Sequence, residues 1–246
     1  MHMNQPQRQP DGILSCARYA FRPNKLNYCG PDENKHIFEY LAAGEDDGGL
    51  AGILNKFETL YPYLKLIAIA NRAEDFFNKK VSDAYWIGNE LLENIKAPRF
   101  YEHLSDSLQL KEKLSRENLN LLTGKMPRGA NPHHSFHVFN IWQRTGRAEN
   151  PHTLYTMDEC RVGWGRVQNV APEIIKVLYE PVIYNNGRLA FGAPILKDIF
   201  YELPGEVKAG DWISFHWSSF CEILTEGAVR RLRHWTNMNL ELANIK

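Results

Sequence analysis

Gly210-Asp-Trp-Ile-Ser-Phe-His216-Trp-Ser-Ser-Phe-Cys221-Glu222 is the stretch on which the fold reading turns. Gly210-Asp211 has the chemistry of a turn, and the residues after it read as a strand that carries His216. Upstream, Asn186-Gly187 separates the β-branched and aromatic run Lys176 to Tyr184 from Leu189-Ala-Phe191. Asn-Gly between two such runs predicts a hairpin, because both central residues of a type I′ turn need positive φ. Farther upstream, Cys160-Arg-Val-Gly-Trp-Gly-Arg-Val167 sets Val162 and Trp164 among smaller or polar neighbours, as a first strand does. Downstream, Val229, Leu232, Trp235 and Leu242 form the stripe of a final helix from Glu226 to about Ala243. The signals predict a small antiparallel β-barrel with a C-terminal helix over residues 158–246. Cys160 opens it and His216 lies on its last strand; Cys221 is placed at the start of the following helix.

The chain before this module reads as helical. Gly12 to Phe21 predicts a helix that stops before Pro23, since proline disfavours helical backbone in the residue ahead of it. Tyr28-Cys29-Gly30-Pro31 is a turn into a second helix that ends near Ala43. Leu50 to Tyr61 and Tyr63 to Ala70 read as helices split at Pro62. Val81, Ala84, Tyr85, Leu91, Leu92 and Ile95 recur at helical spacing. The expected class is therefore α+β: a polar, frayed tail over residues 1–10, an all-helical domain over 11–127, a histidine-rich junction over 128–157, and the barrel with its helix. Asn150-Pro151 marks a further turn within the junction.

Composition narrows the function classes. Lys plus Arg equals Asp plus Glu at 29 each, so no long-range field favours nucleic acid or an anionic membrane. No apolar run approaches the roughly 20 residues of a membrane span, and Met1 to Pro10 lacks a signal peptide's apolar core, so the expected location is the cytoplasm. The four cysteines include no Cys-x-x-Cys pair and suit thiols better than a disulfide framework. No phosphate loop of the GxxxxGK[ST] type, GxGxxG, HExxH or GxSxG occurs.

Three positions stand out for chemistry. Cys29 falls close to a predicted helix N-terminus, where partial positive charge favours a reactive thiolate; the plainer alternative is a thiol packed beneath a turn. In Pro132-His133-His134-Ser135-Phe136-His137, His133 and His137 share a face whether the segment is strand or helix, so they can converge on one transition metal, with Cys29 or Glu90 as a further donor. The alternative is histidines that hydrogen-bond across the domain junction. Tyr85-Trp86-Ile87-Gly88-Asn89-Glu90 reads as core packing with an exposed polar face, although a cofactor pocket is conceivable there.

A cysteine followed by Gly-Arg-Val, then Gly-Asp-Trp-Ile-Ser-Phe-His and a helix, resembles the small hydrogenase assembly chaperones of the HypC type. The resemblance covers about Asp158 to Leu232, with Cys160 internal and Trp164 where that family has proline. It implies that Cys160 and His216 are metal ligands for an iron fragment, and that the partners are a nickel-iron hydrogenase subunit or its maturation proteins. The whole chain, through Tyr-Cys-Gly-Pro, His-His-Ser-Phe-His-Val-Phe and His-Trp, is also similar to a family of uncharacterised bacterial proteins associated with hydrogenase gene neighbourhoods. The competing expectation is an enzyme, either metal-dependent through His133 and His137 or thiol-dependent through Cys29.

Overall fold

A computed structural model describes residues 12–141, 152–202 and 206–245, so the predicted tail and the Asn150-Pro151 turn lie outside the described residues. The helices are α1 (Gly12–Lys25), α2 (Asn34–Ala43), α3 (Gly49–Leu54), α4 (Leu60–Ala70), α5 (Lys79–Trp86), α6 (Ala97–Glu102), α7 (Leu110–Lys113), α8 (Arg116–Thr123), α9 (His134–Phe136), α10 (Leu154–Cys160) and α11 (Glu226–Ala243). The strands are β1 (Gly163–Val170), β2 (Ile174–Tyr179), β3 (Val182–Asn185), β4 (Arg188–Phe191), β5 (Ile195–Phe200), β6 (Trp212–His216) and β7 (Ser219–Leu224). The class is mixed α+β.

Five strands hydrogen-bond in the cyclic order β1-β2-β5-β7-β6, and β1 pairs with β6. The pairing is antiparallel except between β5 and β7, which meet in parallel at Phe200 and Ser219. The Asn-Gly hairpin forms as expected, with φ of 50° at Asn186 and 78° at Gly187. It stands apart, however: Pro181 breaks the Lys176–Tyr184 run, and β3 and β4 make their own two-stranded sheet. Cys221 is not at a helix start but within β7, buried.

The helical part differs from expectation at its prolines. Pro23 lies inside α1, which runs on to Lys25. Pro62 opens no break; it sits in the first turn of α4, where a missing N–H costs nothing. The helix predicted from Val81 to Ile95 ends at Trp86, because Gly88 takes φ of 87°.

A polar cluster joins the two parts. Glu222 on β7 accepts from Ser15 at 2.6 Å and Tyr19 at 3.1 Å on α1, and Lys79 on α5 lies 3.3 Å away. Tyr19 also shares a 2.8 Å hydrogen bond with Ser214 on β6. The largest apolar core continues across this seam, from Tyr19, Tyr63 and Tyr85 to Val162, Trp164, Cys221 and Leu224. Helix α11 lies back on both, with Trp235 against Gly88.

Candidate metal centre

Cys160 is the last residue of α10, whose start is fixed by a capping box between Thr153 and Thr156. A carbonyl at a helix C-terminus has no partner within the helix. Two imidazoles fill that role for Cys160: His134 Nε2 lies 2.7 Å and His216 Nε2 2.6 Å from its oxygen. His134, Cys160 and His216 bring ligating atoms within 4.8 Å of one another, and the His134 and His216 rings cross at 87° with centroids 5.1 Å apart.

Each ring is aimed by its other nitrogen. His134 follows His133, whose Nδ1 caps the short α9 by accepting from Ser135 N at 3.2 Å, which turns the first helical side chain inward. Its Nδ1 then meets Tyr85 Oη at 3.0 Å. His216 Nδ1 lies 2.6 Å from the carbonyl of Tyr19. In an uninterrupted helix that carbonyl accepts from the N–H of residue 23, but Pro23 has no N–H to give. The proline that interrupts the ladder of α1 thus frees the acceptor that orients His216.

This has a chemical consequence. With Nδ1–H donated to Tyr19, a neutral His216 ring presents the bare lone pair of Nε2 to the Cys160 carbonyl at 2.6 Å. A neutral ring can donate to only one of the two carbonyls, Tyr19 O or Cys160 O, at a time. Burial pushes the His216 pKa down to about 4, against hydrogen bonds to the Tyr19 and Cys160 carbonyls that raise it, and pushes His134 well below the usual histidine range, so both rings favour the neutral form. A neutral imidazole whose second N–H is held by a backbone carbonyl is the ordinary form of a metal-bound histidine.

The site borders a cavity of about 70 Å³, walled by Tyr28, Tyr85, Trp86 and Trp217 together with His137 and Cys29. Trp217 and Ser218 turn the chain between β6 and β7 with φ of 52° and 54°. Left-handed backbone in non-glycine residues is strained and persists only where contacts enforce it. Here Trp217 N donates to Glu159 O at 2.8 Å, Ser218 Oγ donates to the Glu159 carboxylate at 2.7 Å, and that carboxylate pairs with Lys197. The turn carrying His216 is thereby tied to the residue preceding Cys160.

Of the sequence-predicted residues, the structure brings Cys160 and His216 together and sets His137 and Cys29 on the same cavity. His133 is not among the cavity-lining residues; its Nδ1 is 2.7 Å from Ser135 Oγ, and burial lowers its pKa to about 3. Glu90 is exposed and does not line the cavity. Cys29 is not at a helix N-terminus, since α2 begins only at Asn34, and burial pushes its thiol pKa up rather than down. The sequence offers no signal that singles out His134, whereas Tyr85 and Trp86, read as core with a conceivable pocket, are buried and also line the cavity.

The model of DUF6390, a family of unknown function, matches residues 8–246. The chain belongs to this family. No curated protein and no solved structure matches the chain. The comparisons thus support the whole-chain likeness to an uncharacterised family and lend nothing to the HypC resemblance or the hydrogenase association. Among the described residues, no helix is long and apolar enough to cross a membrane.

Proposed function

We propose that this member of the DUF6390 family holds a single soft or borderline transition metal through His134, Cys160 and His216, and acts as an accessory protein of nickel-iron hydrogenase maturation that carries an iron fragment. The observation behind the metal reading is the convergence of two buried imidazoles and one thiol whose ligating atoms lie within 4.8 Å of one another. One thiolate with two imidazoles suits iron, zinc or copper, and three protein ligands leave a coordination position open toward the cavity. Iron and the hydrogenase partner rest on the resemblance of Cys160-Arg-Val-Gly and Gly-Asp-Trp-Ile-Ser-Phe-His216 to the HypC type, in which a cysteine and a histidine are the ligands. A thiol enzyme built on Cys29 is the weaker reading, because burial keeps that thiol protonated.

Anaerobic purification with metal analysis tests the first half, and retention of a hydrogenase large-subunit precursor tests the second. Wild type is expected to retain a metal ion, while Cys160→Ala and His216→Ala lose it and remain folded. Wild type that takes up no iron, zinc or cobalt on reconstitution sinks the metal reading. A metal-loaded protein that retains no hydrogenase component sinks the carrier reading alone. Pro23→Ala supplies a sharper check, since it restores an N–H to the Tyr19 carbonyl and competes with His216 for it. Metal affinity is expected to fall by about tenfold, as for loss of other groups that orient a ligand, while the thermal midpoint stays or rises. Equal affinities by chelator competition would show that the Tyr19 carbonyl does not orient His216 for the metal.

A further inference from the structure

We propose that the open coordination position takes a small anion that accepts a hydrogen bond, and that the Tyr85 hydroxyl donates that bond. The inference rests on the metal reading above and adds to it the chemical class of the ligand and the side chain that selects it. Tyr85 is 1% exposed and lines the cavity onto which His134, Cys160 and His216 open. Among the described residues its hydroxyl has one hydrogen-bond partner, His134 Nδ1 at 3.0 Å.

Without metal the hydrogen bonds close on themselves: the Tyr85 hydroxyl donates to His134 Nδ1, and His134 Nε2–H donates to the Cys160 carbonyl at 2.7 Å. A metal ion on Nε2 takes the place of that hydrogen. The neutral ring then carries its one N–H on Nδ1, the proton released from Nε2 being regained there through solvent, and His134 becomes the donor to the Tyr85 oxygen. Tyr85 keeps its own proton but has lost the acceptor for it. His216 releases nothing in this way, because the Tyr19 carbonyl beside its Nδ1 can only accept. The Tyr85 ring is held in place by Tyr63 and Trp86, with centroids 5.2 and 4.7 Å away, and a buried donor left unpaired is costly. Beside it lies the cavity of about 70 Å³, with Phe57, Leu60 and Trp86 in its wall. That is room for roughly two or three heavy atoms, taking about 30 Å³ for each water-sized group. A divalent ion with one thiolate and two neutral imidazoles keeps one positive charge in this apolar enclosure, which favours an anion over a neutral ligand.

Cobalt(II) is the metal and azide the probe anion, added without oxygen to the full chain as wild type, Tyr85→Phe and His137→Ala. Circular dichroism of the metal-free proteins reports folding, the visible cobalt bands report azide binding to cobalt-saturated protein, and the infrared stretch of bound azide reports its hydrogen bond. Wild type is expected to bind azide, with a stretch that shifts on exchange into heavy water. Tyr85→Phe is expected to bind azide about tenfold more weakly and to lose the heavy-water shift, as for loss of a hydrogen bond to a charged group. His137→Ala, which alters another residue of the cavity wall, should leave both unchanged. A Tyr85 that serves only to orient His134 would change the cobalt affinity and leave the azide affinity of the saturated protein and the heavy-water shift as in wild type; that result overturns the proposal. It is overturned in favour of His137 if that variant alone weakens azide. Wild type that binds cobalt but no azide also overturns it and leaves the metal reading standing, whereas wild type that binds no cobalt brings down the metal reading and this inference with it.

Discussion

Lowering the pH from 7.5 to 5 is expected to unfold the metal-free protein. His103 and His133 have pKa values pushed down to about 3 by burial, His216 to about 4, and His134 well below the histidine range. A histidine whose folded pKa lies below its unfolded value near 6.5 binds its proton more readily in the unfolded chain. Its contribution to stability is complete above that unfolded value, and declines as the pH falls toward the folded one. The loss is roughly 1.4 kcal/mol per pH unit per group, so at pH 5 His103, His133 and His216 each give up about 2 kcal/mol, about 6 kcal/mol together, and His134 adds in the same direction. That is comparable to the roughly 5–15 kcal/mol that holds a domain together. Asp83, whose pKa burial raises, works in the opposite direction and offsets part of it. Urea unfolding followed by circular dichroism at pH 7.5, 6 and 5, with chelator present, measures the decline. A midpoint constant over that range would mean that the imidazoles are not buried in neutral form. Metal occupancy at His134 and His216 should delay the collapse, because the ion competes with the protons for the same nitrogens.

The parts of the fold that were legible in the sequence are those set by local chemistry. Asn186-Gly187 needs positive φ at both residues and gets it, and α11 spans the predicted Glu226–Ala243 because its apolar stripe repeats cleanly and Thr225 caps it. Local chemistry placed the strand that carries His216, while the pairing of Cys160 with His216 as ligands came only from the HypC resemblance. What failed was decided by tertiary contacts. Pro23 reads locally as a stop, yet α1 continues past it, and the Tyr19 carbonyl that it leaves without a helical donor meets His216, 197 positions further along the chain. His134 was passed over because face-sharing arguments pick His133 and His137; the cap at His133 ends that periodicity and turns the intervening residue inward. Cys29 looked like a helix-terminal thiolate only on the assumption that Pro31 began the helix. Tyr85 and Trp86 were read as core, and they are buried, but their buried faces are also the cavity wall.

Arg161→Ala is expected to cost about 3–5 kcal/mol, the range for removing one partner of a buried ion pair. Arg161 is 1% exposed, and its Nε donates to Asp158 at 2.9 Å while Nη2 donates to the Glu180 carbonyl at 2.6 Å. Its guanidinium also lies 4.9 Å from the Phe191 ring centroid and 5.1 Å from that of Trp164. Asp158 has further duties, accepting from Val182 N at 2.9 Å and Tyr179 Oη at 3.0 Å, so without the arginine a mostly buried carboxylate keeps its donors but loses its countercharge. Lysine at 161 should rescue little, since a point charge cannot bond Asp158 and Glu180 O together while lying flat on two rings. Because Arg161 is the residue after Cys160, the same substitution loosens the end of α10 from the β3–β4 hairpin. Stability and metal affinity should therefore fall together, whereas in Pro23→Ala affinity falls without loss of stability. Chemical denaturation of Arg161→Ala, Asp158→Asn and the double variant separates the pair's coupling from the packing of the side chain. An Arg161→Ala protein within about 0.5 kcal/mol of wild type, the spread of an ordinary surface change, would show that the guanidinium does not organise the neighbourhood of Cys160.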